Sequence, residues 1–235
     1  MGNTMTDPNY TALLLVIDRS GSMAGIRDDM VGGLTTMLAE QAAEPGLLTV
    51  DIVTFDTEIE TQCSLAEPKD ITINLEPRGA TALFDAIGQS VTTFGRVLEA
   101  LPEHARPDTV QVVVVTDGEE NSSREFGLEA VRALVTQQKE QYSWDFMFLG
   151  ANQDAVLSGE RLGFDAGSSM TYTAGSEAVS NMSASMGRYV KDVRGKSKRG
   201  FDDGERLSAM SVQPEPDQGA RPVPSTPLKS GKKTR

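Results

Sequence analysis

The sequence has very few of the residues that build disulfide scaffolds and histidine-based sites. Among 235 residues it has one cysteine, Cys63, and one histidine, His104. A single cysteine excludes an internal disulfide, which favours a reducing compartment. The histidine lies between Pro102 and Pro107, a position typical of a surface loop.

Long apolar runs are also missing. The longest early run, Ala12 to Ile17, is far too short to cross a bilayer. The nine residues before Tyr10 contain no basic cluster, and no small-residue cleavage pattern follows, so we see no secretory signal. We therefore expect a cytoplasmic protein, or one of the host cytoplasm if a phage encodes it, with no membrane contact.

Positive charge is scarce, with 22 Lys and Arg against 34 Asp and Glu, a net charge of −12. The last 40 residues hold nine basic and five acidic residues, net +4, which leaves −16 on the first 195. An acidic body repels nucleic acid and anionic membranes, so we expect neither as a partner.

Strand and helix patterns alternate along the chain. The apolar stretch Leu13–Ile17 indicates a strand buried on both faces. Further strands are predicted at Leu48–Phe55, Ile59–Cys63, Val110–Val115, Phe146–Leu149 and Ser169–Thr173. Helical patterns start at Ile26, Leu83, Ser123 (as a cap), Gln153 and Ser176. This alternation predicts an α/β fold, a doubly wound, mostly parallel sheet with helices on both faces.

The pattern stops near residue 195. Five of the 11 prolines fall in the last 40 residues, among Ser, Gly, Lys and Arg. Such a composition has little apolar surface to offset the entropy of ordering. We therefore predict an N-terminal extension at 1–9, one domain at 10–195 and a disordered basic, Pro-rich tail at 196–235.

Polar motifs follow two of the predicted strands, and a third lies before a helix. The first, Asp18-Arg19-Ser20-Gly21-Ser22, has three oxygen-bearing side chains at alternate positions. Thr81 precedes the second helical pattern, and Asp117 ends the valine-rich strand. Loops after parallel strands meet at one edge of the sheet, and oxygen ligands suit a hard cation. The nearby acidic residues Asp28, Asp29, Glu119 and Glu120 are interpreted as solvated or first-turn helix residues.

The three motifs in this order resemble the metal-ion-dependent adhesion site of von Willebrand factor A domains. The resemblance covers about residues 10–195 and is closest to intracellular bacterial or bacteriophage members. It implies a Rossmann-like fold and a bound Mg²⁺, with Mn²⁺ and Ca²⁺ as alternatives. The family often has two glycines before the threonine; here the second is Ala80.

The resemblance also implies how the site would work. Ser20, Ser22 and Thr81 would bind the metal through their hydroxyls, and Asp18 and Asp117 would act through water or as nearby acceptors. A partner protein's Asp or Glu would complete the coordination. Intracellular members often work beside ATP-driven chaperone-like machines, a class of partner that we keep as an expectation.

Two other functions stay open. An assembly subunit, for example of a phage particle, would use the metal only to brace loops. A Mg²⁺-dependent phosphotransferase or hydrolase would use Asp18 as the nucleophile, but such families have a second acid where this chain has Ser20. No lysine or histidine accompanies the motifs, so we expect a non-catalytic protein.

Overall fold

The computed structural model describes residues 6–151 and 154–210, which form six strands and six α-helices. The strands are β1 Asp7–Asp18, β2 Leu47–Phe55, β3 Ile59–Ala66, β4 Pro107–Thr116, β5 Asp145–Ala151 and β6 Ser169–Tyr172. The helices are α1 Arg27–Ala43, α2 Leu83–Glu99, α3 Leu128–Tyr142, α4 Ala155–Arg161, α5 Ser176–Arg194 and α6 Asp203–Ala209.

All six strands form one sheet in the order β3-β2-β1-β4-β5-β6. Only the edge strand β3 is antiparallel; the other neighbours run parallel. Strand β1 lies between β2 and β4, so residues that follow these three strands emerge side by side at one edge. The prediction of a mostly parallel sheet is confirmed.

Alternate side chains of the central strand enter two separate apolar cores. Leu13, Leu15 and Ile17 pack with α1, α5 and α6, whereas Leu14 and Val16 pack with α2, α3 and α4 on the opposite face. Helices therefore cover both faces, and the doubly wound arrangement is confirmed. No helix in the described part of the chain combines the length and the apolar character needed to cross a membrane.

The folded domain begins earlier than predicted. Strand β1 starts at Asp7, whose backbone N–H donates to the carbonyl of Arg106 at 2.9 Å. Asp7 pairs with Pro107 of β4, so the strand begins three residues before Tyr10, at positions that no apolar pattern marks. The predicted extension at 1–9 therefore ends sooner, and residues 1–5 lie outside the described residues.

The domain also ends later than predicted, because residues 196–210 pack onto it. Phe201 is 7% exposed, its ring centre lies 5.2 Å from that of Tyr189, and Ala209 is fully buried. The predicted boundary at residue 195 was wrong. The rest of the predicted tail, residues 211–235, lies outside the described residues.

Polar contacts explain how so hydrophilic a segment folds. Helix α6 begins with a capping box in which Asp202 and Glu205 satisfy each other's backbone N–H groups. Arg188 of α5 donates from Nε and Nη2 to the two carboxylate oxygens of Glu205, at 2.8 and 2.7 Å. Charged residues whose abundance predicted a disordered tail thus form hydrogen bonds and ion pairs with the rest of the domain.

Helix α3 begins at Leu128, not at Ser123 as predicted. The Ser123 hydroxyl donates to Glu120 at 2.6 Å and accepts from the backbone N–H of Asp85 at 3.0 Å. Because this side chain fastens the loop to the start of α2, it does not cap α3.

Burial of Phe201 predicts that the segment after α5 contributes to stability. Phe201→Ala should lower the free energy of unfolding by about 3 kcal/mol, because a buried ring is lost. Leu207→Ala is the matched control on the same segment, since Leu207 is 72% exposed, and should change stability by less than about 0.5 kcal/mol. Urea denaturation measures both, and equal stability of the two variants would contradict the packing described here.

Candidate metal centre

The Asp18 carboxylate lies at the end of the central strand and is fully buried. Its Oδ1 accepts from the backbone N–H of Ser20 at 2.6 Å, and its Oδ2 accepts from the Thr116 hydroxyl at 2.6 Å. Thr116 ends β4, so the parallel register that places β4 beside β1 supplies this second bond. The two bonds hold the carboxylate in one orientation toward the loops that follow both strands.

Hydroxyl groups connect the first motif to the third. Ser20 Oγ lies 3.1 Å from Ser22 Oγ, and Ser22 Oγ donates to Asp117 Oδ1 at 2.6 Å. Ser20 and Asp117 are buried, whereas Ser22 is exposed. The two serines and both carboxylates thus form one polar cluster with access from solvent through Ser22.

Thr81 reaches the same cluster from the loop before α2. A Cβ atom at Gly118 would lie 3.2 Å from Thr81 Oγ1 and 3.8 Å from Ser22 Oγ, so both hydroxyls adjoin this glycine. The Thr81 backbone N–H donates to Asn121 Oδ1 at 2.9 Å, and the Asn121 N–H donates to the Thr81 carbonyl at 3.0 Å. The structure therefore brings the five predicted side chains together; that they bind a metal stays a prediction.

Residues that the sequence reading missed hold these loops in place. Thr116 orients Asp18, Asn121 pairs with the Thr81 backbone, and Glu120 accepts from the backbone N–H of Phe84 at 2.9 Å at the start of α2. Glu120 is therefore a helix-capping residue and not a solvated one. The remaining acidic neighbours conform to their interpretation: Glu119 and Asp28 are exposed, and Asp29 is half-buried in the first turn of α1, where it accepts from the Ser176 hydroxyl at 2.8 Å.

Solved structures share this architecture at low sequence identity. The PilB minor pilin from Streptococcus sanguinis matches with a TM-score of 0.55, 15% identity and 80% of this chain covered. A von Willebrand factor type A protein from Catenulispora acidiphila matches with 0.51, 17% and 77%. Proximal thread matrix protein 1 from the mussel byssus, in a structure with a zinc occupied MIDAS motif, matches with 0.53, 14% and 83%.

The chain has the von Willebrand factor A fold. It spans 63%, 42% and 48% of the lengths of these three neighbours, respectively. No protein-family model matches the sequence, and no curated protein resembles it significantly. In this fold the candidate site occupies the edge where the parallel strands end, the usual place for ligands in open α/β sheets.

The charge of the candidate site fits a cation. Burial raises the pKa of Asp18 to about 6, although hydrogen bonds from Thr116 and Ser20 lower it, and Asp117 raises it further. Burial likewise raises the pKa of Asp117, against the hydrogen bond from Ser22. No basic side chain among residues 6–151 and 154–210 forms an ion pair with either carboxylate. Two buried negative groups therefore lack a positive partner, which a bound cation would supply.

The donor types fit a hard divalent ion. Three hydroxyls and two carboxylates offer oxygen ligands, which Mg²⁺ prefers over nitrogen and sulfur. Within the described residues, no group of three or more His, Cys, Asp and Glu side chains could hold a metal. If a metal binds at this site, serine and threonine hydroxyls would provide much of its coordination.

The raised pKa of Asp18 predicts metal binding that depends on pH. Because only the ionised carboxylate attracts a cation, protons compete with Mg²⁺ below a pKa of about 6. The apparent affinity should be constant above about pH 7 and fall about tenfold per pH unit below about 6. Calorimetric titration in buffers of different ionisation enthalpy measures both the affinity and the protons released.

The raised pKa of Asp18 also predicts how the stability of the metal-free protein changes with pH. Between its ordinary value of 3.8 and about 6, Asp18 is protonated in the folded chain and ionised in the unfolded one. Its contribution therefore makes metal-free stability fall as pH rises through that window. Asp18→Asn should remove this contribution to stability.

For metal binding, a Mg²⁺ affinity that is unchanged between neutral pH and about pH 5 would contradict the role assigned to Asp18.

Proposed function

We propose that this chain is a non-catalytic, metal-dependent protein-binding module. Mg²⁺ is held by the hydroxyls of Ser20, Ser22 and Thr81, with Asp18 and Asp117 acting through water or as nearby acceptors. An Asp or Glu side chain of a partner protein then completes the coordination. The observation that carries the proposal is the pair of buried carboxylates that form no ion pair with any of the described residues, next to three neutral hydroxyls.

The arrangement of hydrogen bonds supports capture of an anion. Both oxygens of Asp18 accept hydrogen bonds from the protein, so its charge acts on the ion from behind the hydroxyls. A bound divalent ion supplies an electrophilic position toward solvent, because neutral hydroxyls do not reduce its charge. Ser22, the exposed member of the cluster, marks the side from which a carboxylate can approach.

The partner has to approach an acidic surface. The whole chain carries −12, so a lone carboxylate is repelled unless basic residues surround it. We therefore propose a protein partner whose acidic residue lies in basic surroundings, and an ATP-driven chaperone-like machine is one class with suitable precedent in the family. A cytoplasmic location and a bacterial or phage source belong to the same proposal.

The two alternative functions have less support. The mussel neighbour's zinc occupied MIDAS motif agrees with a metal in this fold, and a purely structural metal would bind in the same way. Catalysis would need a general base, and His104 lies just before β4, at the opposite edge of the sheet from the motifs. Binding of a partner that depends on metal separates the proposed module from an assembly subunit.

Partner capture should require both the metal and its acidic residues. Immobilised chain should retain partner protein in Mg²⁺, release it in EDTA and retain it again when Mg²⁺ is restored. Asp117→Ala should abolish retention, because it removes a carboxylate of the site, and Ser20→Ala should weaken it by deleting one neutral ligand. Asp28→Ala is the matched control: its side chain is 88% exposed in the first turn of α1 and is not one of the five proposed residues, so its removal should leave retention unchanged.

Competition identifies the group that is captured. Sodium acetate should displace the partner more strongly than sodium chloride at the same ionic strength, because acetate supplies a competing carboxylate. Retention in EDTA equal to that in Mg²⁺, or indifference to Asp117→Ala, would mean that any bound metal is structural.

The proposal also predicts no turnover. Purified chain with Mg²⁺ should hydrolyse neither nucleotides nor phosphate esters above background, because no histidine lies near the motifs. Release of inorganic phosphate measures this. Activity that Asp18→Asn abolishes while metal binding persists would support the enzyme alternative instead.

A further inference from the structure

Asp56 is a buried charged residue beside the candidate site that is not one of the predicted ligands. It follows β2 directly, and its side chain is 1% exposed. Its Oδ2 accepts from Arg19 Nε at 3.0 Å and from Arg78 Nε at 2.8 Å, while its Oδ1 accepts from the backbone N–H of Glu58 at 2.7 Å. One carboxylate therefore binds two guanidinium groups.

The two arginines belong to the two loops that carry the hydroxyl ligands. Arg19 stands between Asp18 and Ser20 in the first motif, and Arg78 lies three residues before Thr81. The side chain of Arg19 is 6% exposed and turns toward Asp56, not toward the carboxylates of the site. Asp56 thus fastens both loops through side chains that are not among the predicted ligands.

Backbone contacts join the same three segments. The Ala82 N–H donates to the Asp56 carbonyl at 2.9 Å, and the Gly21 N–H donates to the Gly79 carbonyl at 3.3 Å. Gly79 has a φ of +68°, and a Cβ there would lie 3.3 Å from the Asp56 Cβ, so the chain passes against Asp56 where a side chain would be crowded. The separation between the loops depends on these contacts.

We propose that Asp56 is a positioning residue for the metal centre, which sets the distance between the Ser20–Ser22 loop and Thr81 through Arg19 and Arg78. This inference rests on the proposed metal binding and adds a residue that does not touch the ion. Neutral hydroxyls bind a divalent ion weakly, so the affinity depends on how well they are held in octahedral geometry. Removal of such outer partners usually weakens metal binding about 10- to 100-fold.

Long-range attraction between Asp56 and the cation is the rival explanation. A substitution of Arg78 distinguishes this explanation from positioning. If charge alone matters, removing the positive charge of Arg78 should strengthen cation binding, whereas removing the negative charge of Asp56 should weaken it. If positioning matters, both changes should weaken binding, because each breaks the same contact. Arg78 is half-exposed, so Arg78→Gln should leave the fold intact even if Asp56→Asn does not.

The test is an electron paramagnetic resonance titration of the full chain with Mn²⁺. We expect Asp56→Asn to bind about tenfold more weakly and Arg78→Gln several-fold more weakly, each with a changed spectrum of the bound ion. Asp51→Asn is the matched control. Asp51 is buried in β2, the strand that Asp56 follows, and accepts from Ser64 and Leu65 of β3, away from the ligand loops, so its loss should leave Mn²⁺ affinity and spectrum unchanged.

Each outcome decides the inference. Weaker Mn²⁺ binding in both Asp56→Asn and Arg78→Gln, with the control unchanged, supports positioning. Tighter binding in Arg78→Gln, equal affinity in all variants, or an equal loss in Asp51→Asn overturns it. If the unaltered chain binds no Mn²⁺ at all, the proposed function fails together with this inference, whereas a failure confined to the variants leaves the proposed function standing.

Discussion

The burial of the Asp18 carboxylate is the constraint on which the candidate site depends. It ends the central strand between β2 and β4, with no exposure to solvent and no basic partner within the described part of the chain. An ionised carboxylate in such surroundings is unfavourable unless hydrogen bonds and a cation compensate it. The two hydrogen bonds from Ser20 and Thr116 are present, and they offset only part of the cost, because the pKa stays raised to about 6. Binding of a cation would relieve the remainder.

Neutral hydroxyl ligands would leave a bound ion with the positive charge that carboxylate ligands would neutralise. If acidic residues filled the coordination shell, they would neutralise the ion and remove its attraction for another anion. If Ser20, Ser22 and Thr81 are the ligands, as proposed, the negative charge would stay behind the ion. The acidic surface would then give selectivity, because it would repel an anionic partner everywhere except at the exposed side of the metal.

The fold and the clustering of the five residues proposed as ligands could be predicted because they depend on local signals. One apolar strand ends at Asp18 and another ends just before Asp117, which places both residues at one edge once the sheet is parallel. The supporting residues could not be predicted in this way. Asp56 contacts Arg19 and Arg78 at separations of 37 and 22 residues, and Asn121 contacts Thr81 at 40, so no short motif records these pairs.

The end of the domain was mispredicted for a related reason. Average composition after residue 195 is polar, and it obscures single residues such as Phe201 that bury apolar surface. The capping box at Asp202 and Glu205 was a local signal for α6, but the ion pair between Glu205 and Arg188 appears only when α5 and α6 lie side by side. A polar segment can therefore fold when a few of its charges are paired by its neighbours.

The loops at the site are held by polar contacts as well as by apolar packing. Met23 after β1 and Phe126 after β4 pack against the two apolar cores, and polar contacts fasten the rest of the loop after β4. Asp85 alone accepts from the backbone N–H groups of Arg124, Glu125 and Phe126. Because these hydrogen bonds come from a side chain of α2, the loop after β4 is tied to the helix that follows Thr81. If the site binds a metal as proposed, this contact would help to keep Asp117 beside Thr81.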